Sequence, residues 1–121
     1  MAIEKYMLSI YISIKLDIIN HMENIDMFKA LANEHRLQIL TWLKNPTDYF
    51  VHETNVDMEE VGVCVGEIQR RLGLTQSTTS HYLSILQKAD LLTATRIGKW
   101  TYYRRDEATL AALSDFIRSE L

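Results

Sequence analysis

Apolar positions recur at helical spacing in the first half of the chain. Two successive stretches carry them: Ile25, Phe28 and Leu31, and then Leu37, Leu40 and Leu43. This three-and-four spacing is typical of helices that bury one face. Asn33 is a residue type that caps helix N-termini, and Pro46 has no amide hydrogen with which to continue a helix. The pattern predicts two helices, the second of which ends before Pro46.

A second pair of helical stretches lies in the middle of the chain. A short helix over 64–72 has Val65, Ile68 and Leu72 on its apolar side, and Gly73 is suited to end it. Thr75 is a suitable N-cap for a longer helix that runs to about residue 89. The core-facing positions of that longer helix are Thr79, Tyr82, Leu83 and Leu86. Two helices across a tight turn that contains glycine indicate a helix-turn-helix.

The last third of the chain predicts a β-hairpin followed by a helix. Residues 91–95 and 101–105 are rich in β-branched and aromatic side chains, and Ile97-Gly98-Lys99 lies between them. Asp106 then precedes a helical apolar pattern made by Leu110, Leu113, Phe116 and Ile117. The predicted fold is therefore mainly α with a small β-hairpin wing, a winged helix-turn-helix.

In two segments the apolar residues follow neither a clear helical spacing nor a clear strand spacing. Residues 1–21 alternate like a strand but also place apolar residues at helical spacing, so we treat them as an N-terminal extension of uncertain structure. Residues 47–61 carry five carboxylates and no lysine or arginine, which indicates an acidic connection with room for a strand or a short helical turn. We expect residues 22–121 to form one DNA-binding and dimerisation domain.

Composition limits the class of protein. A chain of 121 residues has room for one compact core. Its single cysteine, Cys64, cannot form an internal disulfide, which favours a reducing, cytoplasmic location. The apolar run 7–14 is interrupted by Lys15 and Asp17 and is too short to cross a bilayer. We expect neither export nor a membrane anchor.

Charge is unevenly distributed along the chain. The net charge is −3, yet residues 66–105 hold seven basic and two acidic side chains, a local net charge of +5. The remaining segments must therefore carry −8. A locally basic region in an acidic protein suggests one face that binds a polyanion, although solvated surface charge is the simpler alternative.

The second helix of a helix-turn-helix enters the major groove of DNA with its N-terminal residues against the bases. The candidate DNA-binding residues on that helix are Gln76, Ser77, Thr78, Thr79, Ser80 and His81. The amide of Gln76 can pair with adenine through two hydrogen bonds. The alternative is that these side chains only form a capped, solvated helix start.

The hairpin adds cations to the same surface. Arg96, Lys99, Arg104 and Arg105 are expected on or beside its tip, where they would reach phosphates or a minor groove. The hairpin also holds three aromatic residues: Trp100, Tyr102 and Tyr103. Aromatic residues on a hairpin are more often packing than platforms for single-stranded bases. The expected partner is double-stranded DNA.

Three stretches together resemble the ArsR/SmtB family of bacterial winged-helix regulators: residues 28–40, 74–83 and 96–103. With their connecting helices they cover about residues 22–121. The resemblance implies an elongated dimer that represses transcription from an operator and leaves it when a signal arrives. It places Gln76, Ser77, Thr79, Ser80 and His81 in the recognition helix, and it places Arg96 and Lys99 in the wing.

Apolar helices at both ends of a small domain predict a homodimer, because one core cannot bury them all. The expected interface residues are Ile25, Phe28, Leu31, Leu113, Phe116 and Ile117. A two-fold dimer presents two recognition helices, so we expect an inverted-repeat operator.

The family's familiar metal sites are incomplete in this sequence. The stretch that resembles its paired-cysteine site is Cys64-Val65-Gly66-Glu67, with only one thiolate, and residues 106–121 contain no histidine. A lone thiolate is a poor site for a soft metal. The acidic connection, with His52 and Glu53, is better interpreted as a solvated loop than as an oxygen-rich site. We expect no metal and no cofactor, and the effector is unknown.

Two other classes of protein fit this sequence less well. An enzyme would need a nucleophile with a base, a pair of carboxylates or a phosphate-binding loop, and the sequence supplies no catalytic residue of these kinds. The stronger rival is a winged helix that serves as a protein-interaction module. Binding to duplex DNA that depends on salt separates this module from a regulator.

Overall fold

A computed structural model describes residues 2–51 and 55–121 of the chain. Its elements are, in order, α1 (Ala2–Leu31), α2 (Glu34–Lys44), a 3-10 turn (Pro46–Asp48), β1 (Val63–Cys64), α3 (Val65–Leu72), α4 (Gln76–Lys88), β2 (Leu92–Ile97), β3 (Trp100–Arg105) and α5 (Glu107–Glu120). The mainly helical fold with a hairpin wing is therefore confirmed.

Local signals set the helix ends. The side chain of Asn33 accepts hydrogen bonds from the amides of His35 and Arg36 at the start of α2. Thr75 caps α4 and Asp106 caps α5 in the same way. Gly73 ends α3 in the left-handed conformation, with φ 71°, which a glycine adopts without strain. Asn33, Gly73 and Thr75 were predicted at these helix ends from residue type, whereas Asp106 was placed only before the last helix and not as its cap.

The sheet has one strand more than the predicted hairpin. Strands β2 and β3 pair antiparallel from Leu92 with Arg105 to Ile97 with Trp100, and β1 adds to the other edge of β3. Gly98 has φ 62° at the first position of the two-residue turn, as a type II′ hairpin requires. The short strand β1 follows the acidic connection and was not predicted.

The core lies where α2, α3 and α4 meet the sheet. Its fully buried side chains are Ile39, Val63, Ile68, Thr79, Leu83, Leu86 and Leu91. From α5, Leu113 joins the same core and is only 4% exposed. The expectation that Leu113 forms part of a dimer interface was therefore wrong, because its surface is already covered within the protomer.

Helix α1 is continuous through residues 2–31, so the conflicting periods of the extension resolve as helix and no break marks residue 22. Every side chain from Ala2 to Leu16 is exposed, although most of them are apolar. Near its C-terminal end the helix meets the core through Met27, Phe28, Ala30 and Leu31. Among the helices that the structure describes, none is both long and apolar enough to span a membrane.

Candidate nucleic-acid interface

The start of α4 presents a row of small polar side chains to solvent. Gln76, Ser77, Ser80 and His81 are exposed, and Thr78 is half-buried. The hydroxyl of Thr75 accepts a hydrogen bond from the Thr78 amide at 3.2 Å and donates one to the Thr78 hydroxyl at 2.9 Å. The cap therefore fixes the first turn while the amide of Gln76 stays free of any hydrogen bond that the structure records.

Thr79 does not belong to this exposed row. Its side chain is 0% exposed, and its hydroxyl donates to the carbonyl oxygen of Thr75 at 2.9 Å. The expectation that Thr79 contacts DNA was therefore wrong, whereas its prediction as a core-facing position is confirmed. Helical geometry explains both results, because position 79 lies one turn beyond Thr75 on the side of Leu83 and Leu86.

Aromatic and cationic contacts hold α4 against the corner between α1 and α2. The His35 ring stacks on Tyr82 of α4 with 5.7 Å between ring centroids, and the guanidinium of Arg36 lies 5.6 Å from the same ring. Arg36 also donates to the carbonyl oxygens of Ala30 and Lys29 at 2.6 and 3.2 Å. One side chain thereby connects the end of α1, the start of α2 and the middle of α4.

Two of the four predicted cations lie at the wing tip. Arg96 donates from Nε to the carbonyl oxygen of Gly98 at 3.2 Å, and Lys99 Nζ lies 5.3 Å from the centre of the Trp100 ring. Both side chains are exposed. Arg96 and Lys99 therefore add positive charge to the polar surface that α4 offers as the candidate interface.

The other two cations are at the opposite end of the hairpin. The strand register pairs Arg105 with Leu92 at the base of the wing, where Arg105 Nε lies 2.9 Å from a Glu107 carboxylate oxygen. Arg104 donates to the carbonyl oxygen of Glu60 at 2.7 Å. The expectation that Arg104 and Arg105 lie beside the tip was wrong, since both hold the base of the wing to its neighbours.

The wing aromatics divide into two groups. Tyr102 is buried and Tyr103 is partly buried against the core, as the packing interpretation expects. Burial raises the pKa of Tyr103 above its ordinary value, because desolvation disfavours the charged phenolate. Trp100 departs from the expectation, because its side chain is 47% exposed.

The candidate ligand residues do not gather into a metal site within residues 2–51 and 55–121. No group of three or more His, Cys, Asp or Glu side chains there is arranged to hold an ion. Cys64 is buried beside β3. His52 and Glu53 lie outside the described residues, so the interpretation of the acidic connection remains an expectation.

An apolar surface forms where the C-terminal end of α1 meets α5. The rings of Phe28 and Phe116 lie 6.3 Å apart, which brings the end of α1 against α5. Ile25 and Ile117 are about half exposed, and Leu31 is half-buried. Of the six residues expected at a dimer interface, all except Leu113 thus keep surface available.

Comparison with known proteins agrees with this geometry. Residues 58–94, which include α3 and α4, match the family model described as bacterial regulatory protein, arsR family. The HTH-type transcriptional regulator YbzH of Bacillus subtilis is 53% identical over 100 residues, which are 83% of this chain and 100% of that protein. The arsenical resistance operon repressor of Bacillus subtilis is 33% identical over 89 residues, 73% of this chain and 71% of the relative.

A solved structure shows the same architecture. The homodimeric winged helix-turn-helix DNA-binding domain Mb0332, fragment 1–100, from Mycobacterium bovis superposes with a TM-score of 0.58 at 29% identity. The superposition covers 88% of this chain and 85% of that domain. The helix-turn-helix and the wing therefore occur together in a DNA-binding domain of known structure.

Proposed function

This chain belongs to the ArsR family of winged helix-turn-helix transcriptional regulators, and from that premise we propose that it is a repressor that binds an inverted-repeat operator as a homodimer. Its family and its relatives are regulators of transcription and not enzymes. A relative named as an operon repressor supports the direction of regulation. Because its target is chromosomal DNA, the protein acts in the cytoplasm. An unidentified signal then releases it from the operator.

One observation carries the proposal: α4 offers an exposed polar row on a helix that is held rigidly from behind. Gln76, Ser77, Ser80 and His81 are short enough to let the helix approach base edges. The contacts of Tyr82 with His35 and Arg36 keep that helix fixed to the body. A preorganised recognition helix is what sequence-specific binding requires, because ordering it on DNA would cost free energy.

The homodimer rests on the apolar surface around Phe28 and Phe116. Ile25 and Ile117 extend this surface into solvent, and contiguous exposed apolar patches often mark interfaces. A two-fold axis through it places two copies of α4 one or more turns of DNA apart. The operator then consists of two half-sites of opposite orientation.

The test begins with selection of genomic fragments by the purified full chain, followed by fluorescence anisotropy on the selected operator and on a scrambled duplex. Gln76→Ala is expected to weaken operator binding by about 1 to 3 kcal/mol and to relax preference at one base position. Lys99→Ala is expected to weaken both duplexes similarly and to reduce the salt slope by about one per lost phosphate contact.

Two matched variants control for the substitutions themselves. Gln38→Ala changes an exposed glutamine of α2, and Lys5→Ala removes an exposed cation of α1; neither should alter DNA binding. If the chain selects no DNA, or if Gln76→Ala leaves both affinities unchanged, the proposal fails. Absence of salt-dependent binding to duplex DNA would instead favour the protein-interaction module.

A further inference from the structure

The wing tip exposes an apolar pair that the core does not use. Ile97 and Trp100 face each other across the two strands next to the turn, and they are 45% and 47% exposed. Neither side chain belongs to the core cluster or to the residues packed against it. Hairpin tips are ordinarily polar, so two large apolar side chains there are better explained by binding than by folding.

Strand geometry shows which face of the hairpin they occupy. Side chains two residues apart on a strand lie on one face, so Trp100 shares its face with Tyr102, and Ile97 shares it with Thr95. Tyr102 is buried. One face of the hairpin is therefore buried at Tyr102 and exposed to solvent at the tip, where Trp100 and Ile97 lie.

Cations accompany this apolar pair. Lys99 Nζ lies 5.3 Å from the Trp100 ring centre, within the range of a cation–π contact. Arg96 is bonded to the turn itself through the carbonyl oxygen of Gly98. An apolar surface bordered by positive charge is complementary to the edge of a duplex, where deoxyribose carbons lie between phosphates.

We propose that the indole of Trp100, together with Ile97, contacts the sugar edges of the DNA minor groove when the wing docks beside the operator. This inference rests on the proposed function, since it requires the regulator to bind duplex DNA. Apolar side chains inserted at the minor groove are an established device of DNA-binding proteins. The wing then binds through apolar contact as well as through charge, and Lys99 and Trp100 contribute separately.

Tryptophan fluorescence provides a direct test, because the chain has two tryptophans in contrasting surroundings. Trp42 is 8% exposed in the core, and Trp100 is at the tip. Quenching by acrylamide is measured on the full chain with and without the selected operator duplex. DNA is expected to reduce quenching of the wild-type protein and to leave the Trp100→Phe variant, which reports only Trp42, unchanged.

Binding measurements separate apolar contact from charge. Trp100→Ala is expected to weaken binding about tenfold with an unchanged salt slope, whereas Lys99→Ala reduces the slope. Trp100→Phe, which keeps a ring, should retain more affinity than Trp100→Ala. The fluorescence of Trp42 and circular dichroism serve to check that each variant is folded.

Three outcomes would contradict the inference in distinguishable ways. If Trp100→Ala lowers the salt slope as Lys99→Ala does, the indole only positions the ammonium group. If the wild-type protein binds the operator but Trp100 stays fully open to quencher, the apolar pair serves another partner, such as a protein, and the inference fails while the proposed function stands. If the wild-type protein binds no duplex, the proposed function itself fails.

Discussion

Gly62 lies at a close approach between two backbone segments. Its φ is 124°, and a Cβ at this position would overlap the carbonyl group of Tyr103 on β3. Gly73 also has a positive φ, 71°, but a Cβ there would meet nothing within 4 Å. An alanine at Gly73 would carry only the strain of a positive φ, whereas an alanine at Gly62 would also overlap the backbone of β3.

We predict that Gly62→Ala lowers the free energy of unfolding by about 3 kcal/mol, because strain and overlap both act there. Gly73→Ala should cost only about 1 kcal/mol, the penalty of the left-handed conformation alone. Urea denaturation of the two variants measures the difference. Equal losses at both positions would mean that β1 does not lie against β3 as described.

Cys64 is the single cysteine of the sequence and so its one candidate thiolate ligand for a soft metal. Since it is buried and has no second thiolate beside it in the sequence, we predict that zinc, cadmium and arsenite do not release the protein from its operator. Anisotropy in the presence of each metal is the measurement. Stoichiometric binding that abolishes operator affinity, and that disappears in Cys64→Ser, would instead place a metal site at this residue.

At the scale of elements, the capped turn before α4 contributes to the stability of the fold. Thr75→Ala removes the acceptor for the Thr78 amide and should lower the free energy of unfolding by about 1 kcal/mol. Thr75→Ser keeps the hydroxyl and is expected to retain most of that stability. Thermal unfolding compares the two variants, and equal melting temperatures would show that the cap contributes nothing.

The sequence predicts those elements whose signals are local. Asn33, Thr75 and Asp106 are caps by residue type, and the spacing of apolar positions gives the helices between them. Strand β1 has two residues, too few to show a period. The burial of Thr79 and the position of Arg104 depend on packing and strand register, which the sequence does not state. The sequence therefore predicted the caps and helices better than it predicted the burial of Thr79 or the position of Arg104.

At the scale of the whole molecule, the proposed homodimer depends on the apolar surface of α1 and α5. Ile25→Asp places a charge beside Phe28 and should raise the dimer dissociation constant about tenfold or more, because burying an unpaired carboxylate is costly. Leu37→Asp alters a residue of α2 with similar exposure and should leave the dimer intact. Analytical ultracentrifugation distinguishes them. A dimer equally stable in wild-type protein and Ile25→Asp would contradict the assigned interface.

The first half of α1 also determines how the chain exchanges its amide hydrogens. From Ala2 to Leu16 no side chain is buried, and a short helix without packing is only marginally stable in water. Its amides should therefore exchange by local opening, long before those of α4, which open with the core. If their protection rises with protein concentration, a second molecule covers this apolar helix. If it does not, the helix remains exposed to solvent in the regulator.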